Sequence, residues 1–296
     1  MRSGIGAIIG VAIIGWIGTV GAYAQTASKP AKVQPPPAAK APATKEAERA
    51  EREEAKEAGG YRGLSNFFNV REAYSNTEKG EWEFEAGSKW FTRRDHERDE
   101  VEVYQSLKYG VTDDFHLELE VSEPLGYGGE GVGELTFTVF NTFWHESDWL
   151  PAFGGRAAMR IPSGYESSGV DGTFTGIFTK TLLPRFRAHF LGYVRTANGA
   201  PGNEEEENRR AFQWGLGPGF DYQITDATVA VLNYLHKVSD EYGEHNNNIL
   251  ELGVVHHFPE NGRFHHMLKL AAEVGLDGQP DTPKLGAKLQ WEVDWK

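Results

Sequence analysis

Lys284-Leu285-Gly286-Ala287-Lys288-Leu289-Gln290-Trp291-Glu292-Val293-Asp294-Trp295 alternates without a break. Leu285, Ala287, Leu289, Trp291, Val293 and Trp295 fall on one parity, and Lys284, Gly286, Lys288, Gln290, Glu292 and Asp294 on the other. Successive side chains on a strand point to opposite faces, so this is a strand with one greasy and one charged face. Residues 115 to 121 repeat the pattern, with Phe115, Leu117, Leu119 and Val121 set against His116, Glu118 and Glu120. Residues 264 to 274 do the same.

Reading turn formers between such runs predicts 12 strands: 81–93, 100–110, 115–123, 132–144, 150–161, 172–182, 185–195, 209–223, 227–237, 247–258, 263–275 and 283–295. Most are about 10 to 13 residues long, enough to cross a bilayer when tilted. The connections alternate in kind. Short ones (Gly110–Asp114, His145–Trp149, Leu183-Pro184, Ile224–Asp226, Pro259–Gly262) take turns with longer, mostly acidic ones. A sandwich or a soluble ligand-carrying barrel has no reason to keep that order, whereas a transmembrane barrel does. Aromatics near strand ends (Trp90-Phe91, Phe143-Trp144, Trp149, Tyr222, Phe258, Trp295) suit interfacial girdles. The predicted fold is an all-β transmembrane antiparallel β-barrel of about 12 strands, over residues 81–296.

Three segments precede it. Residues 1–24 read as a signal peptide: Arg2, an apolar stretch from Ile5 to Val20, then Gly21-Ala22-Tyr23-Ala24 for cleavage. An uncleaved anchor helix is the alternative. Residues 25–60 form a Pro/Ala/Lys-rich linker and a short charged helix at Thr44 to Ala58. Residues 61–80 are a pre-barrel segment carrying Leu64, Phe67, Phe68, Val70 and Tyr74, which either plugs the barrel mouth or lies along its rim.

Composition narrows the functional classes. The 296-residue chain has no Cys, which removes disulfides, thiolate metal sites and cysteine nucleophiles, and its net charge of -13 argues against nucleic acid as a partner. No Ser, His and acid converge in a catalytic pattern, so no enzyme and no cofactor is expected. His256-His257 and His265-His266 flank the turn Pro259–Gly262, where at most two of the four can share a face for a metal. Glu204 to Glu207 with Asp240, Glu241 and Glu244 make acidic outer loops, which are either plain solvated loops or collect divalent ions that bridge lipopolysaccharide phosphates or steer cationic solutes. Outer-membrane lipid and lipopolysaccharide are the expected surroundings.

The polar faces hold the candidate pore-lining residues. Glu83, Glu85, Glu102, Glu118 and Glu120 form one wall, and Arg156, Arg160, Lys180, Arg185 and Arg187 the other. Such walls act as a filter across an open lumen, or salt-bridge across it and close it. Lys284 and Lys288 are expected to pair with the Glu-rich first strand.

The run Tyr109-Gly110-Val111-Thr112-Asp113-Asp114-Phe115-His116-Leu117-Glu118-Leu119, then Arg160-Ile161-Pro162-Ser163-Gly164, then Gly215-Leu216-Gly217-Pro218-Gly219, resembles the outer-membrane barrel family of the phenol meta-degradation (MetA) pathway. The resemblance covers residues 68 to 295 and rests on turn and strand signatures. It implies an outer-membrane, porin-like transport protein of a Gram-negative bacterium for small solutes, aromatic or hydrophobic ones included, and carries no catalytic residue. One departure is Lys296 after Trp295, since barrel-assembly signals usually finish on an aromatic. The second reading is a closed barrel that anchors or interacts through its N-terminal arm, with peptidoglycan or a periplasmic protein as partner.

Overall fold

In the computed structural model, the described residues are 61–92, 99–125, 134–162, 169–197, 210–239, 242–259, 261–277 and 283–296. The expected signal peptide, linker and charged helix, and Glu204 to Glu207, lie outside them. Twelve strands run through the described residues: β1 (Trp82–Thr92), β2 (Glu100–Gly110), β3 (Phe115–Leu125), β4 (Glu134–Trp144), β5 (Ala152–Pro162), β6 (Asp171–Leu183), β7 (Phe186–Thr196), β8 (Phe212–Thr225), β9 (Thr228–Lys237), β10 (Asn247–His257), β11 (Phe264–Gly275) and β12 (Leu285–Trp295). Each pairs antiparallel with its sequence neighbours, and β1 pairs with β12 to close the barrel, Trp82 opposite Trp295 and Thr92 opposite Leu285. Closure leaves no edge, so each strand's backbone polar groups are answered within the sheet.

The two faces are the reverse of those in a water-soluble protein. Outside, Leu119, Phe137, Phe174, Phe190, Leu252, Leu270, Leu289 and Trp291 are exposed. Inside, the largest fully buried side chains include Arg187, Lys108, Lys269, Glu83 and Glu85. Apolar exposure this continuous is stable only against lipid. The short connections gather at one end. The tightest, between β6 and β7, places Arg185 at φ 67°, and β-bulges at Thr142/Trp144, Thr181/Leu183 and Gln223/Thr225 mark the same end.

Residues 61–80 run inside the barrel. They enter at the short-turn end, where His257 Nε2 lies 3.4 Å from the Arg62 carbonyl. They reach midway up the strands, where Asn69 N donates to Glu251 Oε2 at 2.8 Å and Asn233 Nδ2 donates to the Val70 carbonyl at 3.3 Å. They then return to the rim, where Gly80 N donates to the Gly110 carbonyl at 2.7 Å and passes the chain into β1.

Candidate functional site

The site is the lumen and the segment within it. The segment holds its own shape through Glu72, whose Oε1 accepts the backbone N–H groups of Arg62 and Leu64, each at 2.9 Å. Two apolar patches flank it. Leu64, Phe67 and Phe68 pack with Val229, Val231, Val255, Met267 and Ala271, while Val70, Ala73 and Tyr74 pack with Phe140, Ala152, Ile177 and Leu191. Inner-wall glycines make room: a Cβ at Gly253 would collide with the Phe68 ring, and one at Gly219 would lie 2.9 Å from Val70.

Polar ties then reach nearly every sector of the wall. Arg62 Nη1 binds Asp221 of β8 at 2.7 Å, Arg187 Nη2 of β7 binds Glu72 at 2.7 Å, and Asn66 Nδ2 donates to Glu118 of β3 at 3.0 Å. Ala73 N donates to Thr179 of β6 at 2.9 Å and Ser75 N to Thr142 of β4 at 3.1 Å. Asn76 Nδ2 lies 2.6 Å from both Glu83 oxygens on β1, and Lys269 of β11 reaches Ser65 Oγ at 2.7 Å.

Of the predicted pore-lining residues, Glu83, Glu85, Glu118 and Arg187 are buried in the lumen. Glu102 faces the lumen in the long-loop half, paired with Lys89 at 2.9 Å, and Glu120 shares the parity of Glu118. Arg156 lies beside Phe140 in register, its Nη2 donating to Thr138 at 3.0 Å, and Arg160 is held by Glu134 and Asp171 near the long-loop end. Two are elsewhere. Lys180 shares the parity of Phe174 and Phe178, points outward, and bends to the short turn at Glu146, 2.9 Å away. Arg185 sits exposed at the tip of the β6–β7 turn with Asp226 at 3.2 Å.

The acidic and basic walls do not confront each other across open space. Lys108 satisfies Glu83 at 2.5 Å and Glu85 at 2.7 Å from the adjacent strand, and Arg187 is shared by Asp221 at 2.8 Å and the inserted Glu72. Lys288 turns away from β1, binding Glu251 at 2.8 Å and Glu273 at 2.7 Å. The β1 seam is instead tied by Gln290, which donates to Glu85 at 2.6 Å and accepts from Tyr104 at 2.8 Å. His257 and His265 share the inner face as stacked rings 5.4 Å apart, while His266 faces outward against Trp291.

Sequence reasoning missed the apolar part of the inner wall. Its signal was the loss of strict alternation in Thr228-Val229-Ala230-Val231-Leu232, where both parities are apolar.

No family model and no curated protein matches the chain. Among solved structures it is similar to an outer-membrane channel from Pseudomonas putida F1, at 12% identity over 75% of this chain and 97% of that one, with a TM-score of 0.53. It is also similar to the KdgM porin (6% identity, 72% and 98% covered, TM-score 0.48) and the NanC porin (8%, 73% and 99%, 0.49). At these identities the likeness is one of fold, that of the outer-membrane β-barrel.

Proposed function

We propose that the protein is an outer-membrane channel for small solutes whose conducting path is gated by residues 61–80. The observation that carries this reading is the way the segment is held: two modest apolar patches and many hydrogen bonds and ion pairs to a polar wall. Water entering the lumen can replace such polar ties one by one, so a loosened state is accessible without unfolding the barrel. The fold shared with the Pseudomonas putida F1 channel supports transport rather than catalysis. The sequence resemblance to the MetA-pathway family, together with the apolar inner wall of β9 to β11, favours small aromatic or hydrophobic solutes as cargo.

Planar-bilayer recording of the full chain tests this. Expected are rare openings in the parent and frequent ones in Glu72→Gln. Silence in both, with both barrels folded, would favour the closed barrel that anchors through its N-terminal arm.

A further inference from the structure

We propose that Glu83, Glu292 and Asp294 hold a divalent, oxygen-seeking cation, calcium before magnesium, that clasps the inserted segment to the β1–β12 seam. One carboxylate oxygen from each lies within 4.8 Å of the others, and all three residues are buried. Oxygens so spaced can sit on opposite sides of one ion at about 2.4 Å, within the calcium range, whereas magnesium at about 2.0–2.1 Å would need the set to contract. All the donors are hard oxygens, which disfavours zinc and copper.

Charge points the same way. Glu83, Glu85, Glu292 and Asp294 are all buried in this sector. Two ammonium groups answer them: Lys108 bridges Glu83 and Glu85, and Lys269 binds Glu292 and lies 3.7 Å from Glu85. His265 Nδ1 is 3.2 Å from Asp294 and adds charge only when protonated. The neighbouring Lys288 is engaged by Glu251 and Glu273. With His265 neutral the sector is two charges negative, which buried groups do not tolerate without a counter-ion or protons.

A second observation comes from the inserted segment. Glu292 Oε1 and Asp294 Oδ1 are buried without a hydrogen-bond partner, and so is Asn76 Oδ1. Asn76 is 6% exposed and turned onto the cluster, its Nδ2 at 2.6 Å from Glu83. The Tyr61 hydroxyl is likewise buried and unpartnered. Asn76, at the end of the segment, therefore meets a carboxylate of the strands that close the barrel, and turning its amide over would offer the unpartnered oxygen to the same ion. This site does not depend on whether the barrel conducts.

The test is equilibrium dialysis of the full chain, folded in detergent and stripped with chelator, against radioactive calcium at neutral pH. Expected is one calcium per barrel, with affinity about tenfold or more lower in Asp294→Asn and Glu292→Gln and unchanged in Glu102→Gln. Gel mobility of unheated samples checks that each variant is a folded barrel. Calcium should also raise the temperature at which the chelated parent loses its folded band, and leave Asp294→Asn unmoved. No stoichiometric calcium, or uptake that both variants retain, would overturn the site in favour of shared protons or loop-bound ions. Should a variant fail to fold, Asn76→Ala keeps every charge: weaker uptake supports the site and unchanged uptake overturns it.

Discussion

Arg187 of β7 and Glu72 of the inserted segment meet at 2.7 Å with both side chains at 0% exposure. Glu72 at the same time accepts two backbone N–H groups of its own segment, and Arg187 binds Asp221 beside it. One pair thus joins the fold of the segment to the wall that encloses it. Removing either charge leaves the other buried.

Glu72→Gln preserves shape and deletes that charge. Asp221 still holds Arg187, so the cost falls below the about 3 to 5 kcal/mol of an uncompensated buried charge, and the segment's released population should rise by about tenfold or more. Single-channel open probability reads this directly, and the barrel should still migrate as a folded band before heating.

Gly253→Leu should displace the segment sterically, because the wall there is filled by Phe68. The chain has no Cys, so a single Ser65→Cys reports the result. Ser65 is 0% exposed, and its thiol should resist a bulky maleimide in the otherwise native protein and react in the Gly253→Leu background. Equal protection in both would mean that the segment accommodates the new side chain.

Leu289 and Gln290 separate the two faces of β12. Leu289 is 47% exposed on the outer face, where an arginine at mid-bilayer costs about 2 to 4 kcal/mol. Leu289→Arg should therefore block assembly, scored as loss of the heat-modifiable band. Gln290 is fully buried beside Glu85 and Glu292, so Gln290→Lys places its amine among acids and should still assemble.

Arg160→Ser tests the long-loop end, where Arg160 is clasped by Glu134 and Asp171. Without it, Glu134 loses that cation while Asp171 keeps Arg195 at 3.9 Å, so the rim becomes one charge more negative and open channels should shift toward cation preference at low salt. The reversal-potential shift should fade as the Debye length falls from about 30 Å at 0.01 M to about 3 Å at 1 M. Arg185→Ser, at an exposed turn tip, should change nothing.

The strand count, the strand limits to within a few residues and the outward parity of β12 were legible because alternation is a local property. A residue's face follows from its neighbours at two-residue spacing, and the bilayer demands that the rule hold along every strand. Even Lys180 carried its answer, since it shares parity with Phe174 and Phe178; its charge alone suggested the lumen. The partners of the inward charges were not legible in the same way. Lys288 could turn to β1 or to β11, and nothing in the local pattern chooses.

By itself, then, the sequence determined a closed wall with lipid outside and polar groups within. Only the tertiary structure decided what fills that wall. Arg62 meets Asp221 across 159 residues, and Lys288 meets Asn69 across 219. Contacts at that separation have no period to betray them. They exist because burying unpaired charge is costly, and a segment with no regular secondary structure of its own brings further partners to charges that the wall strands already answer in part.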